Sequence, residues 1–258
     1  MSEAEFLARL PSLAFAAVLL FARMGAATMV LPGLGESEIP ARVRLLLGLA
    51  LVPLLLPVLG DVLPAEPPGV PALLRLLVLE VLTGLWLGGL ARVASLALAA
   101  GLQVVAIVMG IASVLAPDTQ MGAQAAVLGR LGSLATAVLL FSTGLYAVPL
   151  QALAGSYAVL PPGAPWPAGE AAEAWLAAGA GMLELALRLA APFVLAGFLV
   201  NLASGLLSRV APQVQVNVLV APGQILGGMA LLAILAGPLL AAFLDALRQG
   251  WASLPGLG

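Results

Sequence analysis

The chain has 258 residues, 62% hydrophobic and 9% charged, with a net charge of −2. A soluble domain carries about 25% charged residues, so this composition specifies a polytopic membrane protein and offers no basic surface for nucleic acid. Every basic residue is Arg, and His and Cys are absent; this removes disulfides, thiol nucleophiles, His/Cys metal sites and the usual general base.

The start, MSEAEFLARLPSLAF, is acidic ahead of Arg9. A cleavable leader begins basic, so the first apolar run, 13–31, is expected to persist as a helix. Arg23 interrupts that run. An Arg inside a membrane helix costs at least ~2.5 kcal/mol and faces protein or water. It is therefore either one half of a structural charge pair or a pore or assembly contact. Pro32, Gly33 and Gly35 then break the helix, and Glu36 and Glu38 precede Pro40, Arg42 and Arg44. Pro40 suits the first turn of a helix, where no donor is lost. The second run, 43–59, contains Pro53 and Pro57, which are expected to kink or end it.

After a Pro-rich loop, residues 72–115 are apolar almost throughout. A span needs about 20 residues, so this stretch either folds back near Gly88-Gly89 or forms one long helix that leaves the bilayer plane. Gly84 and Gly88 make a GxxxG pair, which permits close backbone approach. Glu80 is a lone carboxylate in the same stretch, and Arg23, Arg75 and Arg92 are its possible partners. A loop at 116–129 carries Asp118 and Gln120 ahead of a fifth run, 125–150. Residues 154–173, with Pro161, Pro162, Pro165 and Pro167, read as a hydrophilic connection and the clearest internal boundary. Trp166 and Trp175 flank it, as at a membrane interface.

Two long runs follow, 176–207 and 218–247, joined by a polar stretch, 208–217, that holds Arg209, Pro212, Gln213, Gln215 and Asn217. Each arm of this hairpin exceeds the ~30 Å hydrocarbon thickness and must tilt, kink or project. Unpaired polar groups are costly where water is absent. The tip is thus either a plain turn or a contact surface. The fold class expected is all-α, a polytopic membrane protein of six to seven long apolar helices ending in a helical hairpin. The Arg residues divide almost evenly between the two sides, so the positive-inside rule assigns no orientation. Neither GxSxG nor a Walker motif is present, and the acidic residues are scattered singly, so no enzyme, cofactor or metal site is expected. Small residues on many faces favour helix-on-helix contact within an assembly.

Four stretches in order carry a family resemblance: RMGAATMVLPGLGESEIPARVRLLLGLAL (23–51), LEVLTGLWLGG (79–89), APDTQMGAQAAVLGRLGSLATAVLLFSTGLYAVPLQALAGSYAVLPPG (116–163) and GLLSRVAPQVQVNVLVAPGQILGGMAL (205–231). Together they resemble the FliR family of flagellar export-gate proteins and its injectisome counterpart, SctT. The resemblance implies a non-enzymatic core subunit of the flagellar type III export gate, through which unfolded flagellar subunits cross the bacterial inner membrane at the basal body. It implies FliP-like and FliQ-like partners, with FlhB-like and FlhA-like components beside them. It also implies a FliP-like region over residues 1–165 and a FliQ-like hairpin over 166–258. Arg209, Pro212, Gln213, Gln215, Asn217, Glu36, Pro40, Arg42, Arg44, Asp118 and Gln120 are the expected subunit-contact or path residues. Arg23 and Glu80 are expected as a buried charge pair. A secondary transporter of small molecules is the alternative; such proteins carry repeats with broken helices at the midplane, and no internal repeat stands out.

Overall fold

In a computed structural model the chain is described over residues 3–36, 39–110, 121–210 and 216–257. Its described elements are helical throughout: α1 (Glu3–Val30), α2 (Ala41–Leu59), a 3₁₀ turn at Gly60–Val62, α3 (Val70–Ser95), α4 (Ala97–Val108), α5 (Met121–Thr143), α6 (Ala147–Val159), α7 (Ala168–Val210) and α8 (Val216–Ala252). Among the described residues, five helical spans are long and apolar enough to cross a membrane, one of them α3 with α4. The count reaches six, the lower of the expected numbers, if the bent pair α5–α6 forms one span. The chain is an all-α polytopic membrane protein.

α2 contains Pro53 and Pro57 and ends at Leu59, where the second run was expected to end; a membrane helix tolerates proline where neighbouring groups satisfy the freed carbonyls. Other boundaries differ from expectation. The long apolar stretch does not fold back at Gly88-Gly89. α3 continues through both glycines, and only Leu96 separates it from α4, so that 70–108 counts as one span. At 1.5 Å per residue this is about 58 Å of helix, roughly twice the hydrocarbon thickness. The fifth run is divided instead. Gly144 adopts φ +74°, and the helices on either side bend by 74°. The proposed connection at 154–173 shrinks to 160–167, because α6 extends to Val159 and α7 begins at Ala168.

Contacts divide the chain into two compact units. The first comprises Met1–Ala94, Leu140–Ala178 and Gln249–Gly258; the second comprises Ser95–Leu139 and Gly179–Arg248. In the first, Leu19, Leu20, Met24 and Ala27 of α1 are fully buried, with Leu90 and Ala91 of α3, Leu153 and Tyr157 of α6, and Trp251 near the C-terminus. Small residues set the spacing. A Cβ at Gly84 would strike the Arg23 carbonyl, and one at Gly88 would lie 2.7 Å from Val30 Cγ2. The GxxxG pair is therefore the seam between α3 and α1. A second seam joins α2 to α1, where a Cβ on Gly48 would come 2.9 Å from Gly25 Cα.

In the second unit Val105 of α4 and Met109 just after it pack on Ala190 and Phe193 of α7, and Leu231, Leu232, Leu235 and Leu239 of α8 close the cluster. Met109 lies against Gly197 and Gly228, one on each arm of the hairpin. Gln224 Nε2 donates to the Val108 carbonyl at 2.9 Å. This bond satisfies a carbonyl at the end of α4 that has no partner within the helix.

Candidate functional site

The most concentrated polar chemistry lies inside the first unit, around Arg23. α1 carries the guanidinium into the core, where Arg23 is 1% exposed. Its Nε donates to Glu80 Oε2 at 2.8 Å, and Nη2 donates to Glu80 Oε1 at 2.9 Å. This is the bidentate geometry in which Arg and a carboxylate pair best. Nη1 donates to Ser156 Oγ and Nη2 to the Leu160 carbonyl, each at 2.9 Å. The guanidinium also stacks over the Tyr157 ring, 3.8 Å from its centroid. Ser156 Oγ in turn donates a hydrogen bond to the Leu153 carbonyl at 2.6 Å.

One side chain thus ties three helices together. Arg23 is anchored on α1, Glu80 belongs to α3, and Ser156 and Tyr157 end α6, with Leu160 as the residue that caps it. Leu160 O is a terminal helix carbonyl, where a cation also complements the helix dipole. Close packing makes the pair possible: Gly84, one turn beyond Glu80, brings α3 against the Arg23 backbone. Ser156 and Tyr157 belong to the polar interval that sequence reading assigned to a solvated connection. Their polarity serves the interior.

The 31–44 segment is drawn together by a second arginine. Arg44 donates to the Ile39 carbonyl through Nε at 3.1 Å and Nη2 at 2.9 Å, and to the Met29 carbonyl at 3.2 Å. Its backbone carbonyl accepts from Thr28 Oγ1 at 3.2 Å. Glu36 meets Arg92 of α3 at 3.4 Å, and Arg92 Nη1 donates to the Val30 carbonyl, also at 3.4 Å. The side chains of Glu36 and Arg44 are therefore engaged within the chain, whereas Pro40 and Arg42 stand exposed. Pro40 is the residue before α2, with φ −57° and ψ 139°.

At the hairpin, Arg209 lies exposed in the last turn of α7. Asn217 falls in the first turn of α8. Pro212, Gln213, Gln215, Asp118 and Gln120 lie outside the described residues. Arg209 and the Glu36–Arg44 segment belong to different units.

The C-terminal residues form a contact that sequence reading missed. Trp251 is buried and its indole donates to the Ala91 carbonyl at 3.2 Å. Gly256, with φ +97°, lies flush against Gly155, so a Cβ on either would strike the other's backbone or its neighbours. A tryptophan followed by small residues and Pro255 was the available signal. The other indoles also pack on protein. Trp86 and Trp166 meet edge to face at 5.5 Å, and a Cβ on Gly89 would lie 2.6 Å from Trp175.

Among the described residues, no group of three His, Cys, Asp or Glu side chains is placed to hold a metal ion. The Arg23 guanidinium is buried and held by partners on two other helices, which suits it to fix helices. The family model described as "Bacterial export proteins, family 1" matches residues 14–250. The flagellar biosynthetic protein FliR of Caulobacter vibrioides is 27% identical over 235 residues, covering 91% of this chain and 94% of that protein. With its family match spanning almost every helix just described, the chain belongs to the bacterial export proteins, family 1.

Proposed function

We propose that the chain is a non-enzymatic core subunit of the flagellar type III export gate in the bacterial inner membrane. The observation that carries this reading is the likeness to a flagellar biosynthetic protein along 91% of the chain, within an export family. These matches do not favour the solute-transporter alternative. The partners proposed are FliP-like and FliQ-like gate subunits with FlhB-like and FlhA-like neighbours, and the cargo is unfolded flagellar protein. Residues 1–165 act as the FliP-like part and 166–258 as the FliQ-like hairpin. Helices longer than the bilayer is thick support a subunit that stands partly outside the hydrocarbon.

Arg209, Pro212, Gln213, Gln215 and Asn217 are proposed to meet neighbouring subunits, with Asp118, Gln120, Pro40 and Arg42 as further contacts. Glu36 and Arg44 shape the segment that presents Pro40 and Arg42. In a deletion strain, the wild-type gene should restore secretion of flagellar subunits to the medium. Arg209→Ala combined with Gln213→Ala should restore less while the chain still accumulates in the membrane. Normal secretion by the deletion strain itself would refute the reading, and full restoration by the double variant would return the tip to a plain turn.

A further inference from the structure

We infer that the first unit binds one anionic phospholipid, with an acyl chain in an apolar cavity and the headgroup on Arg44. The cavity lies where the turn after α1 meets the bend between α5 and α6. It measures about 220 Å³ and is walled by apolar side chains, among them Leu31, Leu34, Leu47, Phe141 and Leu150, with the Tyr146 phenol as the one polar exception. In proteins an apolar cavity of about 150 Å³ stays dry and takes up a benzene-sized guest. A water molecule needs two to four polar partners, and a single phenol does not supply them. An unfilled void forfeits dispersion contacts along its lining, so a flexible apolar guest gains by entering. Phe141 and Tyr146 stand 49% and 43% exposed with their rings 5.4 Å apart, and they form the outer lip of the cavity.

The surroundings of the cavity give its guest a charge and a level in the membrane. The α1 span closes at Val30 and the α2 span opens at Ala41, so residues 31–40 join two spans at one edge of the hydrocarbon. Arg44 and Leu47 stand three residues apart on one face of α2. The arginine is thus the polar neighbour of the cavity on the headgroup side. All of its hydrogen bonds go to backbone carbonyls, those of Met29, Glu36 and Ile39. Among the described residues no carboxylate pairs with it, because Glu36 turns its side chain to Arg92 instead. A guanidinium does not deprotonate in proteins, so Arg44 keeps an uncompensated charge. Basic pockets between membrane helices take anionic headgroups. An apolar side chain from a partner matches the cavity alone. An anionic phospholipid matches both the cavity and the cation, and the membrane edge supplies it.

The inference needs only that the chain sits in a membrane, so its failure leaves the export role intact. In the test, the full chain is purified in mild detergent and given phosphatidylglycerol or phosphatidylethanolamine with identical acyl chains. Bound lipid is counted by native mass spectrometry. The wild-type chain should retain one phosphatidylglycerol severalfold more often than phosphatidylethanolamine. Arg44→Gln should erase that headgroup preference, whereas Arg75→Ala, which removes an exposed arginine elsewhere in the unit, should keep it. Leu47→Phe fills the cavity and leaves Arg44 in place, so it should abolish retention of both lipids while the unfolding midpoint holds; Leu150→Phe serves if that variant does not fold. Equal retention of the two lipids by the wild-type chain overturns the assignment without any variant. Equal losses in Arg44→Gln and Arg75→Ala, or full retention by the cavity-filling variant, also overturn it. Displacement by glycerol 3-phosphate, a headgroup without tails, would make this a phosphate site only. A protein that copurifies in place of lipid and is lost in Leu47→Phe would make the cavity a subunit contact. Either result contradicts the lipid site.

Discussion

Replacing Glu80 by Leu leaves the Arg23 guanidinium buried without its counter-charge. The substitution removes two hydrogen bonds of 2.8 and 2.9 Å and retains those to Ser156 and Leu160 with the Tyr157 ring face. Removing one partner of a buried ion pair costs about 3–5 kcal/mol. Replacing both residues, as Arg23→Met with Glu80→Leu, removes the charge altogether. Ser156 keeps its bond to the Leu153 carbonyl, so the main loss is the donor to the Leu160 carbonyl, about 1–3 kcal/mol. The double variant should therefore be more stable than Glu80→Leu alone, with a coupling energy of at least about 3 kcal/mol across the cycle. The assay is thermal unfolding of the purified chain in detergent, followed by tryptophan fluorescence. At about 2–4 °C per kcal/mol for a chain of this size, Glu80→Leu should lower the midpoint by roughly 10 °C. A double variant that falls by the sum of the two single effects would refute the claim that the charges act as one unit.

Four further outcomes follow from the packing. Tyr157→Phe keeps the ring under Arg23 and removes a buried hydroxyl that has no partner among the described residues, so the unfolding midpoint should hold or rise, by up to about 1 kcal/mol of stability. Gly84→Ala should cost about 1–3 kcal/mol through overpacking against the Arg23 carbonyl. Gly179→Ala, with open space around the position, should stabilise by up to about 1 kcal/mol through helix propensity; the same melts compare them. Trp251→Ala should cost about 3–5 kcal/mol as a large buried side chain is lost, and limited proteolysis should then cleave the C-terminal segment early.

Much of the architecture was legible because hydropathy speaks directly to membrane helices. Two charges in separate apolar runs, Arg23 and Glu80, also announced that each needed a partner. Their additional partners were illegible. Leu160 contributes only a backbone carbonyl, and Ser156 looks like any loop serine until α6 carries it inward. The break at Gly144 was hidden because apolar residues continue on both sides, and only the positive φ distinguishes this glycine from those inside helices. Pro53 and Pro57 lie inside α2, which ends two residues after Pro57; each removes a single ladder bond. The Gly84–Gly88 seam was visible as a motif but carried no address, since spacing cannot say which helix a small face meets. The docking of Trp251 on Ala91 joins residues far apart in the chain, and the small residues and Pro255 after the tryptophan carry no address for it.

The gate assignment is tested by isolating the tagged chain from membranes of a flagellated host under mild detergent, with mass determination of what accompanies it. A defined complex that contains FliP-like and FliQ-like chains is expected. Recovery of the intact chain as a stable monomer, from cells that export flagellar subunits normally, would contradict it.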